Sequence, residues 1–137
     1  MAYLGERKIA NFRVRGAKKP HKNSENFKKR PGMSEEHLAL IRQLPCCVCR
    51  KPAPNDPHHL RSGTGEAGGG LRSTDKHTVP VCRADHDDAH GAGSRNEQAW
   101  FLARGIDPHL LAADLWGVTG DNEQMKRVLA AHWENKP

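Results

Sequence analysis

Three of the chain's four cysteines fall in the run CCVC, Cys46 to Cys49, and the fourth, Cys82, lies 33 residues beyond Cys49. Cysteines crowded in this way are awkward disulfide partners, whereas C-x-x-C is a natural chelating pair. Zinc takes four ligands in a tetrahedron. Cys46 and Cys49, with Cys82 and then Asp85 three residues on, would supply three thiolates and one carboxylate while closing the long loop between the two pairs. Such a knuckle forces residues 46–49 and 82–85 together whatever the rest of the chain does. Cys47 is surplus to it. The competing reading is a set of reduced, buried cysteines without a metal.

The loop so closed is rich in histidine. Five of nine histidines lie between residues 58 and 90, in DPHHLR, HTVPVC and CRADHDDAH. Neighbours on a strand face opposite sides, so His58 and His59 divide two jobs, one as a ligand and the other pointing elsewhere. His86 and His90 are spaced by four and share one face if the segment is helical. If His58 joins them around one divalent ion, three neutral imidazoles hold it with open positions for water and substrate, and His59 is free to take a proton. Imidazole already titrates near working pH, which suits a general base. The bland alternative is a second structural metal site or a polar surface.

Charge is informative once divided by position. Residues 1–32 hold ten Lys or Arg against two acids, and residues 33–137 hold twelve against fourteen. The arm has few apolar residues and no period, so it is expected to be disordered and suited to a polyanion, with DNA or RNA the leading partner. Residues 33–137 are expected to form one domain. No run is apolar enough to span a bilayer and no cleavable leader is evident, which gives the expectation of a cytoplasmic protein with no membrane partner.

Local signals divide the body. Ser34 can cap a helix carrying Glu35 and Glu36 in its first turn and Leu38, Ile41 and Leu44 as its stripe, ended by Pro45. An extended segment should follow through CCVCRKPAPNDPHHL, then a flexible Gly-rich loop at 63–70, then a strand at 77–82. A short helix from Arg83 should end at Gly91. Ser94 and Glu97 have capping-box spacing for a helix to Arg104. Asp107 with Pro108 opens another, ending at Gly117, and Asp121 with Gln124 opens a last one. Trp100, Phe101 and Trp116 read as core.

The order CCVC, DPHHLR, then HTVPVC running into CRADHDDAH resembles the HNH, or ββα-metal, nuclease superfamily, most closely its compact phage and prophage branch with a zinc knuckle. The likeness covers about residues 44–92, with weaker support from NEQAWFLARGIDPHLLAADLW within the expected helical part, 94–134. It implies an α+β fold: a treble-clef-like ββα-metal core with structural zinc, flanked by helices and the basic arm. It implies His59 as general base, His58, His86 and His90 as ligands of the catalytic ion, and His77 at the position that orients the base. The expected activity is metal-dependent hydrolysis of DNA phosphodiester bonds with Mg²⁺, Mn²⁺, Ni²⁺ or Zn²⁺, alongside the structural Zn²⁺ on Cys46, Cys49, Cys82 and Asp85. Arg61, Arg72, Lys76 and Arg83 are expected to meet DNA phosphates, with little sequence information. A phage recombination or packaging protein is a conceivable partner, and oligomeric state is left open. The alternative from another class is a non-catalytic zinc-containing nucleic-acid-binding module.

Overall fold

The computed structural model describes residues 30–66 and 72–137. The expected arm up to residue 29 and part of the Gly-rich loop lie outside the described residues. Among the described residues, five helices and one two-stranded sheet make an α+β fold: α1 (Glu35–Arg42), β1 (Asp56–His59), β2 (Thr78–Val81), α2 (Arg83–Ala92), α3 (Glu97–Ala103), α4 (Pro108–Gly117) and α5 (Asn122–Glu134). Single 3₁₀ turns precede β2 and α3, at Asp75–His77 and Ser94–Asn96.

The helix starts follow from short acceptor side chains that satisfy the first free N–H groups. The Ser34 side chain accepts from the His37 N–H, Asp107 from His109 and Leu110, and Asp121 from Gln124. Pro108 occupies the first turn of α4, where its missing N–H costs nothing. The helix from Arg83 runs through Gly91 to Ala92 and is ended by Gly93, whose φ of 90° only glycine adopts easily. The S-x-x-E spacing at Ser94 does not form a capping box: Ser94 lies in the 3₁₀ turn and no side chain caps α3.

The extended segment expected through CCVCRKPAPNDPHHL contracts to β1. Residues 46–50 turn back on themselves, Cys46 N–H donating to Lys51 O at 2.9 Å and Arg50 N–H to Cys46 O at 3.0 Å. β1 and β2 pair antiparallel with His58 opposite Val79 and Pro57 opposite Pro80. Both strands are sheet edges, which is where proline is tolerated.

Around this β-hairpin and α2 pack Ile41 and Leu44 from the first helical segment, Leu60, Val79 and Val81 from the hairpin, and Phe101, Leu111, Leu115, Met125 and Leu129 from the later helices, all fully buried. Each such side chain contributes roughly 1.5–3 kcal/mol relative to exposure. Trp100 and Phe101 are core, as expected, and Trp116 is half-buried. Among the described residues no helix is long and apolar enough to cross a membrane.

Candidate metal centre

The ligand atoms of Cys46, Cys49, Cys82 and Asp85 all lie within 4.8 Å of one another, so this group could hold a metal ion. The turn at 46–50 brings Cys46 and Cys49 to one side. Cys82 is the residue immediately before α2 and Asp85 sits in the first turn of that helix. The Asp85 Oδ2 is 3.3 Å from the Cys82 Sγ and 3.4 Å from the Cys46 Sγ, and the Cys49 and Cys82 sulfurs are 3.7 Å apart. Partial burial, followed by hydrogen bonding within the cluster, pushes the Cys49 thiol up to about 12. A cation bound there must therefore displace protons, as metal–thiolate sites do. The donors suit zinc, with three soft sulfurs and one carboxylate. Cys47 stands apart: it is buried and its thiol is pushed well up by that burial. Its carbonyl accepts the Trp133 indole N–H at 2.8 Å, tying α5 to the turn.

A second group, His58, His86 and His90, also has its ligand atoms within 4.8 Å of one another. The register of β1 turns His58 into the interior, fully buried against Phe101 at 5.6 Å between ring centroids. α2 presents His86 and His90 one turn apart, their rings 5.0 and 5.4 Å from that of His58. His58 Nε2 is 2.8 Å from the Glu97 Oε2, and His58 Nδ1 is buried without a hydrogen-bond partner. A buried ring nitrogen so orphaned fits a metal ligand. Burial, then the neighbouring imidazoles, holds His86 below the ordinary histidine range; burial, then the Arg61 charge, does the same for His90. Both are thereby neutral and able to donate a lone pair near pH 7. The Asp56 Oδ2 stands 3.4 Å from the His86 Nδ1.

His59, next in sequence, takes the other side of the strand and reaches the buried Asp75, Nε2 to Oδ1 at 2.9 Å. Burial alone would raise the Asp75 carboxyl, but the hydrogen bonds from His59 and the Ser34 N–H outweigh it and hold the group below its usual range. His77 does not orient His59 as expected. Its ring pairs with Glu66 at 3.4 Å and its carbonyl accepts the Leu60 N–H, because the 3₁₀ turn at Asp75–His77 aims Asp75, two residues earlier, at His59.

A cleft of about 400 Å³ is lined by His59, His86 and His90 together with Arg42, Arg61 and Arg72. Of the four cations expected at DNA phosphates, Arg61 and Arg72 therefore stand at the cleft, and Lys76 and Arg83 do not. Arg83 pairs with Asp56 at 2.9 Å and Asp87 at 3.5 Å, and its Nη1 stands 3.4 Å from the Nδ1 of His86. Arg61 is held by internal bonds, Nε to Glu97 at 3.3 Å and Nη2 to the Ala89 carbonyl at 3.2 Å. Asp88 accepts from the Trp100 indole at 2.9 Å.

Three residues that the sequence reading assigned no part in the site contribute to it: Arg42, Asp75 and Glu97. For Asp75 and Arg42 no signal separates them from solvated charges. Glu97 carried a capping spacing that pointed the wrong way. It is 1% exposed, and although burial would raise its carboxyl, the bonds from His58 and Arg61 hold it below the usual range.

Residues 6–115 match the family described as Protein of unknown function (DUF968), and the chain belongs to that family. Uncharacterized protein YdfU of Escherichia coli (strain K12) is 36% identical over 63 residues, 46% of this chain and 18% of that protein. The match thus spans less than a fifth of the curated relative's length. No solved structure matches the chain.

Proposed function

We propose that this chain is a metal-dependent endonuclease of the HNH, or ββα-metal, type that hydrolyses DNA phosphodiester bonds, in phage or prophage biology. One observation carries the reading. His59, bonded to a buried carboxylate, lines the same cleft as two of three clustered imidazoles that could share one ion. Phosphodiester hydrolysis needs a base for water, charge neutralisation at the phosphorus and help for the leaving oxygen. Asp75 accepts a hydrogen bond from the His59 Nε2–H, which leaves the Nδ1 lone pair to take a proton from water. The same carboxylate then stabilises the imidazolium. His58, His86 and His90 would hold a divalent ion, which when bound would supply Lewis acidity at the phosphate. Three imidazoles suit Zn²⁺ or Ni²⁺ at rest, with Mg²⁺ and Mn²⁺ the other candidates for turnover. Arg42 and Arg72, which line the cleft, would meet the phosphate backbone, and the basic arm would add affinity without sequence readout. On this reading the Cys46, Cys49, Cys82 and Asp85 cluster holds a structural Zn²⁺ that braces the start of α2.

The test is nicking of supercoiled plasmid with Mg²⁺, Mn²⁺ or Ni²⁺ by wild type and His59→Ala, with metal analysis of both proteins. Cleavage by wild type alone, at equal metal content, supports the reading. Identical cleavage by the two proteins removes His59 from the chemistry. DNA binding without cleavage under every cation leaves a non-catalytic zinc nucleic-acid-binding module.

A further inference from the structure

We propose that Glu97 is the positioning residue of the three-histidine site: it holds His58 by the Nε2–H so that Nδ1 is the ligand atom, and through Arg61 it braces the helix carrying His86 and His90. The inference rests on the metal-binding part of the reading above and not on hydrolysis.

Glu97 belongs to α3, beyond the β-hairpin and α2 that carry every ligand. Its carboxylate nevertheless gathers three N–H groups from the hairpin side. Oε2 stands 2.8 Å from His58 Nε2 and 3.3 Å from Arg61 Nε, and Oε1 accepts the Arg61 backbone N–H at 2.8 Å. A carboxylate accepts and cannot donate, so the His58 proton resides on Nε2. A metal-ligating imidazole must offer a lone pair, which on this ring leaves Nδ1 as the donor atom. That nitrogen, Nδ1, is buried and has no hydrogen-bond partner, and the ring packs against His86 and His90. One bond from Glu97 thus selects both the tautomer and the ring orientation, as carboxylates behind ligating histidines do.

The second arm of the device runs through Arg61. Its Nη2 donates to the carbonyl of Ala89 at 3.2 Å. Ala89 lies between His86 and His90 in α2, so this bond sets the rotation of that helix relative to β1. A surface ion pair would do neither. Glu97 is 1% exposed and Arg61 28%, so the pair is an internal brace.

Co²⁺ titration of the full chain separates the two clusters, because only the thiolate knuckle gives intense sulfur-to-cobalt charge-transfer absorption. Wild type should bind a second ion through weaker ligand-field bands. Glu97→Gln keeps the shape but loses the charge. It should weaken the second ion by roughly 10- to 100-fold while the thiolate band titrates unchanged. Unchanged affinity for the second ion overturns the inference. Failure of wild type to bind a second ion overturns the metal-site reading itself. Should Glu97→Gln not fold, long-range ¹⁵N–¹H spectra of wild type decide the matter. The His58 ring should show the Nε2–H tautomer, with Zn²⁺ shifting Nδ1; an Nδ1–H tautomer, or a shift at Nε2, sinks the proposal.

Discussion

His58 and His59 are adjacent, and the pleat of β1 sends them to opposite faces, one buried among imidazoles and one against Asp75. If His59 is the base, His59→Ala should slow nicking by about 10²- to 10⁴-fold, the usual worth of general base catalysis, with metal content unchanged. Asp75→Asn should slow it less, because an amide can hold the ring but cannot offset the imidazolium charge; equal rates for wild type and Asp75→Asn would separate Asp75 from the chemistry. His37 offers a test independent of activity. It is fully buried on α1, with Nδ1 2.7 Å from the Thr119 hydroxyl, and burial lowers it to about 4, against a smaller upward pull from Asp75. The unfolded chain takes up this proton first, near the ordinary value of about 6.5. The associated stability is therefore complete above that pH and is lost as pH falls toward 4, about 3 kcal/mol over the interval. Urea midpoints at pH 7 and pH 4.5 should fall further apart for wild type than for His37→Gln, which carries no titrating ring.

Among elements, the helix starts were legible and their partners were not. Ser34, Asp107 and Asp121 act on N–H groups two or three residues away, so their spacing contains the whole interaction. Ser34→Ala should cost about 1 kcal/mol in chemical denaturation. The backbone N–H that Ser34 donates to Asp75 survives that change, so nicking should be unaffected; a parallel loss of nicking would show that the cap itself holds the Asp75–His59 pair. Glu97 shows the opposite case. Its spacing from Ser94 satisfies the capping-box pattern, yet His58 and Arg61, 39 and 36 residues away, claim the carboxylate instead. Likewise Gly91 reads as a stop, but the helix needs a left-handed residue only where the chain turns away, and Gly93 meets that need.

At the scale of the whole molecule, the cluster of Cys46, Cys49, Cys82 and Asp85 joins the 46–50 turn to the start of α2, while Trp133 ties α5 to the same turn. Ligand binding to the folded state alone is folding free energy. Chelator treatment should accordingly lower the melting temperature, Zn²⁺ should restore it, and Cys49→Ser should show the low value throughout; insensitivity of wild type to chelation would argue for cysteines without a metal. DNA affinity belongs to this scale too. If residues 1–32 contact phosphates, their removal should weaken binding and flatten its dependence on salt, and equal affinities of full-length and truncated protein across a salt series would count against the arm.

The sequence by itself determined what is local or covalently counted: the caps at Ser34, Asp107 and Asp121, the C-x-x-C pair, the one-turn spacing of His86 and His90, and the opposite directions of His58 and His59. Each depends on backbone periodicity or on donors a few residues apart. Tertiary structure alone decided which carboxylate meets which imidazole. Asp75 rather than His77 touches His59, Glu97 backs His58, and Arg83 pairs with Asp56. Those choices follow from how the 3₁₀ turn, α3 and the hairpin pack, because a buried charge is stabilised only by partners that packing brings within hydrogen-bond distance.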